Sequence, residues 1–280
     1  MPEGATLPQT AATRVPNLLT IAGLDPSGGA GIAADLKTFA ALRCHGMAVV
    51  TALTVQNTQR VFAIDAPSAD FIAHQIDAIF ADIEVGAVKI GMLATPETAA
   101  AVAERLAVHK PRFIVLDPVL AATSGDCLAR EGVAEAIVDQ LLPLATLITP
   151  NLPEAAVLAG YETKPSPAGI YETVARLHKR GARAVLLTGG DGTGLTCDDL
   201  LSDGVDQHIF SAPRIKTQNT HGTGCTLSSA IAAFLAHGRD LIGATGAAKT
   251  YLNGALAAAD DIDAGRGHGP LNHFHALWPR

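Results

Sequence analysis

The sequence predicts an α/β protein, a three-layer α/β/α sandwich on a mostly parallel central sheet. Three observations carry that expectation. Short apolar runs alternate with helix-period segments along most of the chain. Much of the 48% apolar content is alanine and aromatics are only 4%, which suits helices packed closely on a sheet. Polar or glycine residues recur just after the apolar runs, at Asp25, Gln56, Gly91-Met92, Asp117, Asn151 and Gly189-Gly190. Open parallel sheets bind ligands outside the carboxyl ends of their strands, so these residues mark one edge as the place for a site.

Each element has its own warrant. "LLTIAG" (18–23) reads as a buried strand ended by Gly23, and "DPSGGAG" (25–31) as a turn cluster. Ile32, Leu36 and Phe39 then recur at helical spacing. "MAVVTALTV" (47–55) is a strand running into "QNT". Ser68 can cap a helix carrying Phe71, Ile72, Ile76, Ile79 and Phe80. "AVKIGML" (87–93) is a strand, and Thr95-Pro96 opens a helix with a cap and a first-position proline. "FIVLDPVL" (113–120), "TLITPN" (146–151) and "AVLLTGG" (184–190) are further strands, each beside a helical segment. Within 195–215, Asp203-Gly204 signals a hairpin. Helices at about 223–237 and 240–260 close the chain. Such alternation implies a parallel sheet covered on both faces, with right-handed crossovers. No linker interrupts it, so residues 17–280 read as one domain and 1–16 as a disordered lead-in.

Composition narrows the function. The 280 residues carry a net charge of −7 and no Lys/Arg cluster, which argues against nucleic acid and anionic membrane as partners. Cys44, Cys127, Cys197 and Cys225 form no C-x-x-C pair, so neither a disulfide framework nor a zinc site is expected, and a reducing, cytoplasmic setting fits. "MPEGATLPQTAATRVPN" has neither the basic start nor the apolar run of a signal peptide. No run of about 18 apolar residues points to a membrane span.

The chemistry concentrates in a few stretches. "NTHGTGCT" (219–226) places Gly222, Thr223 and Gly224 just before an apolar helical pattern. Helix starts carry unpaired N–H groups that suit phosphate oxygens, and glycine lets backbone approach closely. A plain helix cap accounts for the spacing equally well, and no G-x-x-x-x-G-K-[ST] is present. Cys225 in the first turn is either a small core residue or a thiol acidified by the helix end, and spacing alone favours the first. Asp117 and Glu154, at neighbouring strand ends, can hold Mg²⁺ through water or merely cap the surface. Asp25 can cap its turn or bind ligand. Gln56 offers a donor and an acceptor together, fitting the edge of an amino-substituted heterocycle, or else a loop hydrogen bond.

Taken in order, "TIAGLDPSGGAGIAADLKTF", "TALTVQNT", "VKIGML", "VLDPV", "TSGD", "LITPNLPEA" and "NTHGTGCTLSSAIAA" closely resemble the hydroxymethylpyrimidine/phosphomethylpyrimidine kinases of thiamine biosynthesis, which are ribokinase-like enzymes. The resemblance covers about residues 17–280. It implies transfer of phosphate from ATP, with Mg²⁺, to 4-amino-5-hydroxymethyl-2-methylpyrimidine and then to its monophosphate. It implies a pyrimidine pocket lined by Gly23, Asp35, Gln56, Met92 and Val119, with Gln56 reading the 4-amino group and a ring nitrogen. Asn151, Thr188, Gly190 and Gly222 would face the nucleotide, and Asp117 and Glu154 the metal. The Gly222–Cys225 amides would receive the phosphoryl charge while Cys225, lowered in pKa by the helix end, takes the hydroxyl proton. A homodimer is implied as well.

Two positions depart from the family pattern. "ATSG" and "TGG" put Thr123 and Thr188 where lysines are frequent, leaving Lys89, Arg214 or Lys216 as candidates to restore charge. The departures keep three rivals open: a first-step-only kinase, a pyridoxal-type kinase of the same fold, and a nucleotide or pyrimidine sensor without turnover. Asp117, Glu154 and the intact "GTGC" loop speak against the sensor. The glycine-rich 25–31 turn and the 195–215 hairpin are candidate covers for the site.

Overall fold

The computed structural model describes residues 14–122, 125–161, 169–190 and 192–278. Along the chain, β1 (Asn17–Leu24), α1 (Gly31–Ala41), β2 (His45–Gln56), β3 (Val61–Asp65), α2 (Ala69–Asp82), β4 (Ala87–Ile90), α3 (Pro96–His109) and β5 (Ile114–Leu116) come first. Next come α4 (Val133–Ala136), continued by a wider π turn over Ile137–Leu141, then β6 (Leu147–Ile148), α5 (Leu152–Leu158), α6 (Ile170–Lys179) and β7 (Val185–Leu187). The strands β8 (Thr196–Ser202) and β9 (Gln207–Pro213) and the helices α7 (Thr223–Ala236) and α8 (Leu241–Ala257) complete it.

The nine strands described form one sheet in the order β3-β2-β1-β4-β5-β6-β7-β8-β9. From β2 through β7 the pairings are parallel, while the β3–β2 pairing at one edge and the β7–β8 and β8–β9 pairings at the other are antiparallel. The strand order reverses direction between β1 and β4, the point at which a doubly wound sheet leaves a crevice at its carboxyl edge.

Side-chain alternation sorts the core into two layers. Leu19, Ile21, Val88, Ile90, Ile114 and Leu116 point toward α2 through α6, meeting Ile72, Ile76, Val102, Leu106 and Leu177. Leu18, Ala87, Val115, Leu147 and Leu186 point the other way, onto Phe39 of α1 and Leu227, Ile231, Ala248 and Leu252 of α7 and α8. The three layers expected from the sequence are therefore present, and so are the caps. Ser68 accepts from the Phe71 amide at 3.3 Å, and Thr95, ahead of Pro96, from the Thr98 amide at 3.2 Å.

Differences from the sequence reading cluster at strand ends. The run 87–93 pairs only as far as Ile90, 113–120 only over Ile114–Leu116, and 184–190 only over Val185–Leu187. Met92 and Leu93 are apolar because they are buried beyond the ladder, not because they pair in it. β3 went unpredicted: it is short, at the edge, and mostly exposed, so it carries little periodic signal. The hairpin was legible. Asp203 Oδ1 accepts from the Val205 and Asp206 amides at 2.9 and 2.7 Å, and Gly204 takes a φ of 91° that favours glycine. The 1–16 lead-in lies outside the described residues as far as residue 13.

Ile76 is fully buried in the layer beneath α2. Ile76→Ala is expected to lower unfolding free energy by about 2–5 kcal/mol. Urea denaturation would show this as a lower midpoint at unchanged slope.

Candidate active site

At the carboxyl edge of the sheet lies a cavity of about 510 Å³. It collects Gly23 near the end of β1, Gln56 as the last residue of β2, Met92 after β4, Asp117 and Val119 after β5, Asn151 and Glu154 after β6, and Thr188 and Gly190 after β7. Gly222, Thr223, Gly224 and Cys225 at the start of α7 form its remaining wall. Residues far apart in sequence converge because parallel strands all end on the same side of the sheet.

Asp35 is the exception. The resemblance places it in the pocket lining, but here it is fully buried behind the cavity and does not face it. Its carboxylate accepts from Lys89 Nζ at 2.9 and 3.0 Å, from Thr20 Oγ1 at 2.6 Å and from Ser229 Oγ at 2.7 Å. Lys89 sits on β4 beside Thr20 of β1 in the parallel register, so alternation points both at α1 and α7. Asp117 Oδ2 lies 4.0 Å from the same ammonium and accepts from Ser228 Oγ at 3.2 Å. Burial pulls the Lys89 pKa down, but Asp35 above all holds it above the ordinary lysine value. Burial likewise pushes the Asp117 carboxyl up, partly opposed by Lys89. A lysine inside an otherwise apolar strand was the signal that could have announced this cluster.

Cys225 requires a second correction. A helix start was expected to acidify it. Instead burial of its thiol pushes the pKa up to about 12, with Lys89 opposing that shift and Asp117 and Asp35 adding to it. Desolvation and two carboxylates outweigh the helix end, so Cys225 rests as a thiol at neutral pH.

The α7 start is formed by backbone alone. Gly222 is its N-cap with φ 83°, and no side chain caps it. A Cβ at Gly222 would collide with the Gly29 carbonyl, so the 25–31 turn and the 219–226 turn pack backbone to backbone. Between them lies a pair that sequence reasoning missed. His221 Nε2 is 2.7 Å from Asp25 Oδ2, and both residues are buried. Asp25 also accepts from the Ser27, Gly29 and Ala30 amides at 2.8, 3.2 and 3.0 Å and from Ser27 Oγ at 2.9 Å. Burial pushes the Asp25 pKa up, yet the His221 and Ser27 hydrogen bonds win and hold it below the ordinary carboxylate value. Asp25 therefore caps its turn and faces the cavity as well.

At the other end, Lys249 Nζ pairs with Asp199 Oδ2 at 2.7 Å, and Asp199 Oδ1 accepts from the Gly189 amide at 2.9 Å. Of the three candidates to restore charge, Lys89 is sealed beneath the cavity and Lys216 lies in a separate surface depression. Arg214 is the one on the cavity wall. Its guanidinium donates to the carbonyls of Gly190 and Gly194 at 2.9 Å each and of Gly189 and Thr196 at 3.3 Å, bracing the turn that follows Thr188. Thr123 falls outside the described residues.

Phosphoryl transfer between small molecules asks for positioning and for fixed dipoles where charge gathers. An open helix start facing strand-end carboxylates across one cavity, on this sheet, meets that demand and defines a kinase of the ribokinase-like class. Comparison with known proteins agrees. The sequence pattern of the family described as phosphomethylpyrimidine kinase matches residues 25–272. The hydroxymethylpyrimidine/phosphomethylpyrimidine kinase of Rhizobium meliloti is 49% identical over 93% of this chain and 97% of its own. Among solved structures, an ADP complex of Bacillus subtilis pyridoxal kinase superposes with a TM-score of 0.85 at 34% identity, over 94% of this chain and 99% of that one. The phosphomethylpyrimidine kinase of Clostridium difficile gives 0.75 at 37%, over 87% and 100%. The chain belongs to the phosphomethylpyrimidine kinase family, and it is a phosphotransferase.

Lys89→Met leaves Asp35 and Asp117 buried without their counter-charge and is expected to cost about 3–5 kcal/mol. Adding Asp35→Asn should recover part of that loss in a double-mutant cycle followed by denaturation. Asp25 gives a pH signature. Its depressed folded pKa stabilises the fold above the unfolded value, near 3.8, and that contribution disappears as pH falls through the folded value. Asp25→Asn should therefore be less stable than the parent at pH 7, and the gap should close below about pH 4.

Proposed function

We propose that this kinase transfers the terminal phosphate of ATP to 4-amino-5-hydroxymethyl-2-methylpyrimidine, and then to the resulting monophosphate, as a step of thiamine biosynthesis. One observation carries the reading: the start of α7, with Cys225 in its first turn, shares a single cavity with Gln56, Met92 and Val119. The pyrimidine ring fits between Met92 and Val119, with its amino edge at Gln56 and its hydroxymethyl group turned toward Cys225. The amides of Gly222 to Cys225 receive the charge on the transferred group. Cys225 enters as a thiol, hydrogen-bonds the hydroxyl and takes part in removing its proton as the new O–P bond forms. ATP lies along Asn151, Thr188 and Gly190, with Arg214 supplying positive charge at that end.

Asp117 and Glu154 suit Mg²⁺ as a hydrated ion. Glu154 already accepts from the Asn151 amide at 2.9 Å in a capping box, and the described residues contain no group of three or more His, Cys, Asp or Glu able to hold a metal. That donor set fits an ion which keeps its water and takes its other ligands from phosphate. When bound, it supplies neutralisation of phosphate charge. A homodimer and a cytoplasmic setting belong to the same reading; no described helix is long and apolar enough to cross a membrane.

Similarity to a pyridoxal kinase at a TM-score of 0.85 favours a second reading, in which pyridoxal is also accepted. Purified protein with ATP and Mg²⁺ is expected to convert hydroxymethylpyrimidine to mono- and diphosphate, followed by mass, and to turn over pyridoxal more slowly. Conversion that stops at the monophosphate would restrict the activity to the first step. Cys225→Ala is expected to lower kcat by about 10²–10⁴-fold, with the KM for ATP nearly unchanged; full kcat in that variant would remove Cys225 from the chemistry.

A further inference from the structure

The end of the cavity at which ATP is placed is backed by a buried ion pair. Lys249 of α8 and Asp199 of β8 are both buried, and their side chains meet at 2.7 Å. Lys249 lies on the cavity wall, whereas Asp199 stands behind it. The same ammonium is 3.6 Å from Cys197 Sγ, a weak acceptor also on the wall. A lysine paired this closely with a carboxylate adds no net charge. It supplies none of the charge that a lysine at position 188 would bring. A buried ion pair also adds little stability over apolar side chains of the same size. Charge and stability are thus weak reasons for the pair, and its next contact supplies a stronger one.

The β7–β8 ladder ends where Leu187 pairs with Leu200, so Asp199 comes next on β8 as the chain turns away from β7. Lys249 holds Oδ2 of Asp199, and Oδ1 accepts from the Gly189 amide at 2.9 Å. Arg214 holds the same turn by its carbonyls, donating to Gly189 at 3.3 Å and to Gly190 at 2.9 Å. A Cβ at Gly189 would collide with the Asp198 carbonyl, so β8 backbone lies directly against this residue. One residue earlier, the Thr188 amide donates to the Pro150 carbonyl at 3.0 Å. Peptide units are planar and trans. Holding the Gly189 N–H therefore sets the Thr188 carbonyl, and holding the Gly189 carbonyl sets the Gly190 N–H.

We propose that Asp199 and Lys249 are positioning residues for the nucleotide: Lys249 aims the Asp199 carboxylate at the Gly189 amide, and this grip presets the 188–190 turn that receives ATP. The turn has its bound form before the nucleotide arrives, so binding does not have to order it. Glycine backbone has the most freedom to lose, and Gly189-Gly190 would otherwise lose it at each binding event. The pair acts by geometry, while Arg214 brings the positive charge. Its effect falls on ATP and not on the pyrimidine alcohol, whose pocket at Gln56, Met92 and Val119 is built from other strand ends.

This inference rests on the placement of ATP along Asn151, Thr188 and Gly190, and its test separates the two. In ¹⁵N-labelled wild type, the non-hydrolysable ATP analogue AMP-PCP with Mg²⁺ is expected to shift the Gly189 and Gly190 amide signals. If the analogue binds and those signals stay still, the placement of ATP is wrong and the proposal falls with it. Hydrogen exchange on the same sample tests the grip itself. The Gly189 amide is expected to be protected without nucleotide and to gain little from the analogue. A gain of about tenfold or more would show that the nucleotide orders the turn, and would overturn the proposal while leaving the placement intact. Kinetics supply the second arm. Asp199→Leu with Lys249→Met removes both charges together and leaves an apolar pair in their place. It is expected to raise the KM for ATP about tenfold and to leave kcat and the KM for hydroxymethylpyrimidine within a factor of about two. Asp199→Asn with Lys249→Met keeps an oxygen for the Gly189 amide and is expected to recover most of that loss. An unchanged KM for ATP, equal rises in both KM values, or no recovery with asparagine would reduce the pair to a brace between β8 and α8 and sink the proposal. If the leucine variant does not fold, the exchange result on the wild type decides. If the wild type phosphorylates no pyrimidine, the Kd for AMP-PCP takes the place of the KM for ATP.

Discussion

The structure turns on one buried charge. Lys89 lies in the middle of the sheet on a strand that is otherwise apolar, and nothing but ion pairing keeps an ammonium there. Asp35 of α1, Thr20 of β1, Asp117 beyond β5 and Ser229 of α7 all turn inward to serve that cluster. It therefore joins two strands, the end of a third and two helices directly below the cavity floor. An apolar core could have filled the same volume at less desolvation cost. A network with every polar member satisfied demands one arrangement of its parts, and the same arrangement sets Asp117 and Cys225 into the site.

Cys225 shows how the surroundings of a group decide its chemistry. A helix start lowers a thiol pKa when the thiol is solvated or faces a cation alone. Here two carboxylates share the space with the cation, and burial of the thiol adds to their effect. The net field keeps the proton on sulfur.

Two glycine-rich turns that look independent in the sequence form one body. Gly222 touches Gly29, Asp25 gathers the 25–31 amides, and His221 spans the join. The 25–31 turn, expected as a candidate cover, is thus held by its own aspartate and by the neighbouring turn. The 195–215 hairpin extends the sheet edge, where Arg214 braces the turn after β7.

Read alone, the sequence carried the layers, the single, mostly parallel sheet, the caps at Ser68 and Thr95, and the edge at which the cavity-lining residues gather. These follow from periodicity and turn chemistry, which act over a few residues. Ordered motifs also gave the kinase family and most of the cavity wall. Folding alone set the burial of Asp35 behind the cavity, the raised pKa of Cys225, the place of Arg214 rather than Lys89 or Lys216 on the cavity wall, and the pairing of Asp25 with His221. Each depends on which groups stand within a few ångströms across elements distant in the chain. Local patterns can place a residue on a face, but its charge state is set by desolvation and by partners that folding alone brings together.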